Sequence, residues 1–408
     1  MRTYLLIARV SLLIALHSLL ACSSSKQNSK SLSSKHLLSK ETIFQMYTAS
    51  ANQYKLLASS LPPNRFPRTF HPNQNRLETS GSDWWCSGFY PGTLLYLYQS
   101  TADQKLYEEA MRIMEVLKKE QYNTTTHDLG FMMYCSFGNA NQIAPKPEYK
   151  DILINSAKSL ATRFDPKVRA IRSWDSDKED YLVIIDNMMN LELLFWATRV
   201  TGDSSFYEIA TTHANTTIQN HFRPDYSSYH VINYDPTTGA VQQKRTAQGY
   251  SNESAWARGQ AWGLYGFTVM YRETKDPKYL AQAKGIADFM LHHPNLPQDK
   301  IPYWDFNAPN IPNALRDASA AGITSAALLE LCQYVPAKTS KEYFAAAETM
   351  LQSLSSDTYR YAPGTNGGFL IKHGVGHFPQ GTEIDVPLTY ADYYFIEALK
   401  RYQELSKN

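Results

Sequence analysis

The chain has 408 residues, 43% of them hydrophobic and 19% charged, an ordinary globular composition with material for a sizeable core. Its formal charge is +2, and the two excess basic residues, Arg2 and Arg9, both precede Cys22, so the remainder is neutral. Neutrality excludes a broad nucleic-acid surface and a polybasic membrane patch. The aromatic share is high at 13%, which serves core packing and also suits stacking on sugar rings.

In chain order, a basic start is followed by the apolar run Val10 to Leu20, too short to span a bilayer comfortably. The run ends in Leu19-Leu20-Ala21-Cys22, which resembles the lipobox of bacterial lipoprotein signal peptides. That resemblance implies a signal peptide over 1–21 and lipidation at Cys22. It also implies an exported protein anchored on the periplasmic side of a bacterial membrane; an uncleaved anchor is the alternative. Residues 22–39, opening with Ser23-Ser24-Ser25, read as a flexible tether, and one folded domain is expected over 40–408. Beyond Cys22 only Cys86, Cys135 and Cys332 remain, without a C-x-x-C pair, so neither a disulfide scaffold nor a zinc site is indicated.

From the tether onward, apolar residues recur at three- and four-residue spacing. The pattern predicts helices over roughly 41–60, 87–100, 103–121, 129–138, 147–164, 186–200, 204–221, 254–274, 276–293, 316–334, 340–355 and 387–405. Thr201-Gly202-Asp203 stops one helix and caps the next, and Asp276-Pro277 starts another. The main β-like interruption is Tyr229 to Tyr234, followed by a turn at Asp235-Pro236-Thr237-Thr238-Gly239, a short hairpin. Consecutive helical hairpins predict an all-α fold, closed as six inner and six outer helices. An α-solenoid also pairs its helices, but no fixed-period repeat is present.

Polar residues suited to sugar chemistry gather at helix starts: around Trp85, at His127-Asp128, at Ile185-Asp186-Asn187, and from Gln248 through Glu253 to Trp262. Asp128 and Asp186 precede apolar runs, where an Asp is commonly a plain N-cap. Val183-Ile184-Ile185 and Met188-Met189, however, should desolvate Asp186 and raise its pKa towards that of a working acid. Trp256 and Trp262 do not share one helix face, so at least one is expected to pack outward. Arg258 and Trp262 do share a face. Arg258 either binds a substrate carboxylate through two hydrogen bonds or holds a neighbouring acid in an ion pair. His230, on the expected hairpin, is either structural or functional.

These pieces resemble glycoside hydrolase family 88, the unsaturated glucuronyl hydrolases. The matching segments are W-C-S-G-F-Y-P-G, H-D-L-G-F, I-D-N-M-M-N-L, S-S-Y-H, Q-G-Y-S-N-E-S-A-W-A-R-G-Q-A-W-G and E-I-D-V-P-L-T-Y-A-D-Y-Y-F-I-E-A-L. They run in the family's order from about residue 84 to 400. The resemblance implies an (α/α)6 barrel that hydrates the C4=C5 bond of an unsaturated glucuronyl residue, with no metal or organic cofactor. It implies an unsaturated oligosaccharide as substrate and a polysaccharide lyase as the upstream functional partner. By position, Asp186 matches the general acid/base and Asp128 the second essential carboxylate. Trp85, Trp174, His230, Gln248, Arg258 and Trp262 match the substrate-binding residues. A Ser-x-x-Ser-x-Lys element that contacts sulfate in some members is absent, since His377, Gln380 and Thr382 stand there. Without the resemblance, two readings stay open: a lipid-anchored glycan-binding protein, and an (α/α)6 glycosidase acting on saturated sugars.

Overall fold

The computed structural model describes residues 37–175 and 177–406; Cys22, the signal sequence and nearly all of the tether lie outside them. The described residues contain twelve α-helices. These are α1 (Lys40–Ser60), α2 (Phe89–Thr101), α3 (Gln104–Leu117), α4 (Asn139–Ile143), α5 (Pro147–Ala161) and α6 (Leu191–Thr201). The remainder are α7 (Ser204–His221), α8 (Ala257–Thr274), α9 (Pro277–His292), α10 (Ala318–Leu331), α11 (Ala337–Leu354) and α12 (Thr389–Leu405). A π-helical segment, Gly130–Gly138, runs directly into α4.

Composition sorts these helices into two layers. Every residue of α10 is buried, and α8 is buried from Ala257 to Met270, so neither has a solvent face. By contrast α3 buries Leu106, Ala110, Ile113, Met114 and Leu117 at helical spacing and turns its charged side outward. The inner ring runs α2, the π segment with α4, α6, α8, α10 and α12, each packed on the next, and α12 closes it against α2. The odd-numbered helices pack outside, which gives an (α/α)6 barrel. Gly202 adopts a left-handed φ of 77° to end α6, and Asp203 caps α7 by accepting from Ser205 N. Asp276 caps α9 in the same way.

Both Trp256 and Trp262 are buried, which corrects the expectation that one packs outward. That expectation presumed a helix with one wet face, and α8 is an inner helix with none.

Among the described residues, the links between helices carry four small antiparallel sheets. The hairpin expected at Tyr229–Tyr234 is β6 (Val231–Tyr234) paired with β7 (Val241–Arg245), and β5 (Tyr181–Ile184) adds to its other edge. The remaining pairs are β1 (Phe66–His71) with β2 (Arg76–Ser80), β3 (Phe164–Asp165) with β4 (Ala170–Ile171), and β8 (Gly374–His377) with β9 (Thr382–Val386). β5 leads straight into Asp186, and β8–β9 leads into α12. The strands therefore frame the N-terminal ends of inner helices.

Candidate active site

Asp186 opens a 3-10 turn, Ile185–Asn190, placed ahead of α6 by a backbone bond from Ile185 N to His230 O (3.0 Å). Asp128 sits just ahead of the π segment. Asn190 holds the two together, accepting from Phe131 N at 3.0 Å. Gly130 permits that approach, since a Cβ there would lie 2.5 Å from Asn190 Cα. Neither Asp side chain caps its helix, so the capping alternative does not describe either one.

Both carboxyl groups are buried, and their pKa values are pushed up to about 7. For Asp186 the main cause is burial; the Arg258 charge opposes it and the nearby Asp128 charge adds to it. For Asp128 burial again dominates, opposed by hydrogen bonds from Asn190 and Thr126 and by the Arg163 charge. Asp186 Oδ2 is buried without a hydrogen-bond partner, and so is His230 Nε2, 3.8 Å away. His230 Nδ1 accepts from Ala247 N (3.1 Å) and Gln248 N (3.2 Å), and burial holds the ring's pKa well below its ordinary value. The ring is therefore neutral with its proton on Nε2, facing Asp186. At 3.8 Å the two do not bond directly, but both can reach one oxygen atom lying off the line between them. On the other side, His127 Nδ1 donates to Ser173 O at 2.8 Å, which leaves a bare Nε2 3.2 Å from Asp128 Oδ1.

Aromatic rings enclose these groups in a continuous chain of contacts. Trp174 meets His230 (5.9 Å between centroids), His230 meets Trp256 (4.5 Å), and the Arg258 guanidinium lies over Trp256 (4.5 Å) and Tyr390 (5.3 Å). Tyr390 meets Trp85 at 4.9 Å, Trp85 meets Phe131 at 5.6 Å, and Phe131 meets Trp262 at 5.0 Å. Every candidate singled out in the sequence, Cys22 apart, belongs to this one assembly.

Two of them are placed differently from the expectation. Arg258 is the ion-pair holder of the two alternatives. Its Nη1 donates to Asp317 (3.0 Å) and Val375 O, and its Nη2 to Gln248 Oε1 (2.7 Å) and Gly376 O (2.6 Å). Asp317, the N-cap of α10, is fully buried and needs that cation. With its four terminal N–H groups engaged, Arg258 cannot clamp a substrate carboxylate with two of them; it orients Gln248 instead. Trp262 is fully buried against Phe131 and Tyr394, so it backs the wall and offers no sugar-stacking face. What it retains is an Nε1–H without a partner.

Tyr390, with an unpartnered buried hydroxyl, and Asp317 were not singled out from sequence. Tyr390 stood inside the quoted late segment, so a signal existed; Asp317 had none, since only the fold brings it to Arg258. Among the described residues, no group of three or more His, Cys, Asp or Glu side chains is arranged to hold a metal ion.

Comparison with known proteins gives the family. Residues 63–273 match the model of Glycosyl Hydrolase Family 88. An unsaturated glucuronyl hydrolase of Formosa agariphila is 45% identical over 387 residues, 94% of each chain. An unsaturated chondroitin disaccharide hydrolase of Streptococcus pyogenes serotype M1 is 32% identical, over 90% of this chain and 92% of that one. A crystal structure of an unsaturated glucuronyl hydrolase specific for heparin superposes with a TM-score of 0.87 at 46% identity, covering 91% of this chain and 99% of that one. An Asp-to-Asn variant of the Streptococcus agalactiae enzyme, complexed with dGlcA-GalNAc6S, superposes with a TM-score of 0.77 at 30% identity, covering 91% and 94%. The matched family model, the identities over nearly the whole chain and the shared barrel lead to one assignment: this chain belongs to glycosyl hydrolase family 88.

Proposed function

We propose that this glycoside hydrolase removes a 4,5-unsaturated glucuronyl residue from oligosaccharides released by polysaccharide lyases, of glycosaminoglycan type. One observation carries the reading: Asp186 keeps an unpartnered oxygen and a pKa of about 7 in a buried, aromatic-walled site beside Asp128. A carboxyl group in that state can give a proton and take one back near neutrality.

Asp186 delivers its proton to C4, and positive charge develops at C5 and the ring oxygen. Asp128 stabilises that charge. Water attacks C5 and gives its proton to Asp186, with His230 Nε2–H helping to hold the attacking oxygen. The hemiketal at C5 opens, and the hemiacetal left at C1 expels the remaining sugar as an alcohol. Trp85 and Trp174 line the ring, and Gln248 donates its amide N–H. This is hydration followed by collapse, so the carboxylate-separation rule for saturated glycosides does not govern it.

The test is incubation with an unsaturated glucuronyl disaccharide, following the ultraviolet absorbance of the C4=C5 bond. Loss of absorbance with deuterium entering C4 in D2O is expected. Release of sugar with the double bond intact would identify a saturated-type glycosidase, and binding without turnover a glycan-binding protein.

We also propose that Cys22 carries lipid and holds the enzyme on the periplasmic side of a membrane, a reading supported by Leu19-Leu20-Ala21-Cys22. Cys22→Ala should convert a detergent-requiring protein into a freely extracted one. Identical fractionation of the two forms would overturn it.

A further inference from the structure

At the end of the barrel away from Asp128 and Asp186 lies a second polar space. A cavity of about 330 Å³ runs among the π segment, α6, α8 and α12, from Phe131 and Met189 out to Arg199 and Glu404, whose side chains are half exposed. The reaction proposed above uses none of its charged groups.

Charge around this cavity does not balance. Lys400 and Glu404 pair with each other at 2.7 Å and cancel. What remains is four carboxyl groups, Glu192, Glu273, Glu330 and Glu397, against three guanidinium groups, Arg199, Arg272 and Arg401. Arg272 is divided among Glu192, Glu273 (3.1 Å) and Glu330 (3.1 Å), and Arg401 between Glu330 (2.8 Å) and Glu397 (2.9 Å). One negative charge is left over, and Glu397 shows where it is least served. That side chain lines the cavity and is only 6% exposed. The Tyr265 hydroxyl (2.8 Å) and Arg401 Nη2 (2.9 Å) both donate to its Oε1, while its Oε2 is buried without a partner. A buried carboxylate oxygen lacking a donor is costly, so the position favours any occupant that supplies one. Glu192 agrees: burial, with the Glu330 and Glu273 charges, raises its pKa despite Arg272 and Arg401.

The missing partner must be positive and must donate hydrogen bonds. Tyr96, Tyr134, Tyr265, Tyr393 and Tyr394 line the same space, and aromatic faces attract cations. Among the described residues no three acidic, His or Cys side chains are arranged to hold a metal ion, so a coordinated metal does not fit. An ammonium group does. Its N–H groups can reach Glu397 Oε2 while its carbon substituent packs on tyrosine rings.

We infer that this cavity is a binding site for a small protonated primary amine, anchored by Glu397 Oε2. Simple alkylamines and free amino sugars share that chemistry. The experiment uses the full chain and two probes, methylammonium chloride and glucosamine hydrochloride, against sodium chloride at equal ionic strength. At least one probe should raise the melting temperature saturably, by roughly 2–4 °C at about tenfold above its Kd. A rise with methylammonium alone assigns the site to alkylamines, and a larger one with glucosamine assigns it to amino sugars. Tetramethylammonium, which has the charge but no N–H, should bind at least tenfold more weakly. In Glu397→Gln the amide still accepts from Arg401 and Tyr265, but the surplus charge is gone and an NH2 stands in place of Oε2. The rise should disappear in that variant. The inference is overturned if neither probe exceeds sodium chloride, if tetramethylammonium binds as well, or if folded Glu397→Gln keeps the wild-type response. The wild-type arms decide it even if Glu397→Gln does not fold.

Discussion

The two ends of the inner helices bury carboxyl groups to a similar extent and treat them in opposite ways. Towards the C-terminal ends of α8, α10 and α12, around a cavity of about 330 Å³ lined by Tyr265, Arg272, Glu397 and Arg401, with Glu192 from the first turn of α6 beside them, the acids have arginine partners. Glu330 pairs with both Arg272 (3.1 Å) and Arg401 (2.8 Å); burial pushes its pKa up, yet the two cations hold it below the ordinary value. Glu192 pairs with Arg272 alone, and there burial prevails and raises its pKa. At the N-terminal ends, Asp128 and Asp186 have no arginine within ion-pair distance, and both rise to about 7. Burial is common to all four, so the charges alongside decide the outcome: Glu330 and Glu192 both feel Arg272 and Arg401, but Glu192 also feels the Glu330 and Glu273 charges, which raise it. Asp392 adds a qualification: burial raises it to about 7 as well, yet it accepts from Leu370 N, Ile371 N and the Tyr54 hydroxyl. A raised pKa marks a strained acid; an oxygen left without a donor, as on Asp186, marks one free to act.

The sharpest way to break this contrast is to neutralise one acid at the working end. Asp186→Asn should slow loss of the double bond by roughly 10²–10⁴, since the amide cannot shuttle a proton. Its melting temperature should stay level or rise, because an uncompensated buried carboxyl is gone. A variant that keeps near-normal turnover and labels C4 with deuterium would show that the general acid lies elsewhere. Next in size is the ion-paired end. Arg401→Met strands Glu397, leaves Glu330 with Arg272 alone, and should cost about 3–5 kcal/mol of unfolding free energy in denaturant titration, with kcat of the folded fraction unchanged. A fall in kcat would mean that the two ends are coupled. Arg258 tests the rule inside the working end, because its partner Asp317 is fully buried. Arg258→Gln should therefore destabilise by a similar amount, about 3–5 kcal/mol, rather than merely weaken substrate binding. Normal stability with a raised KM would restore Arg258 to the substrate carboxylate.

Much of this contrast is legible in the sequence. The three-and-four spacing located the helices, and the Asp128 and Asp186 clusters fell at helix starts, which the barrel gathers at one rim. Val183-Ile184-Ile185 announced the burial of Asp186. What stayed hidden depended on partners distant in sequence or on departures from regular geometry. Asp317 meets Arg258 only because α8 and α10 are neighbours in the ring. Gly130–Gly138 reads as an ordinary helix, since apolar spacing does not separate a π-helix from an α-helix over so short a stretch. β1 and β2 escaped notice because Pro67 interrupts the first strand and Arg76, Glu78 and Thr79 make the second polar. The outward-packing expectation for the α8 tryptophans failed for a related reason: periodicity shows which residues share a face, but not whether the opposite face meets water.

The smallest expected effect concerns stability against pH. Asp186 has a folded pKa of about 7, above the ordinary aspartate value, because burial disfavours its charge. Between about pH 4 and 7 the unfolded chain has lost this proton while the folded chain keeps it, so the folded state binds more protons. Stability from this group is therefore fully present below about pH 4 and is lost as pH rises to about 7. Asp128 and Asp392 act in the same direction, whereas Glu330, lowered by its arginines, loses its contribution as pH falls. One such group changes the slope of unfolding free energy by at most about 1.4 kcal/mol per pH unit. Denaturant titrations of Asp186→Asn and wild type should therefore diverge steadily from pH 5 to 7, with the wild type losing more on the way up. Parallel curves would place the folded pKa of Asp186 near its ordinary value, and the difference between the two ends of the barrel would then rest on Asp128 alone.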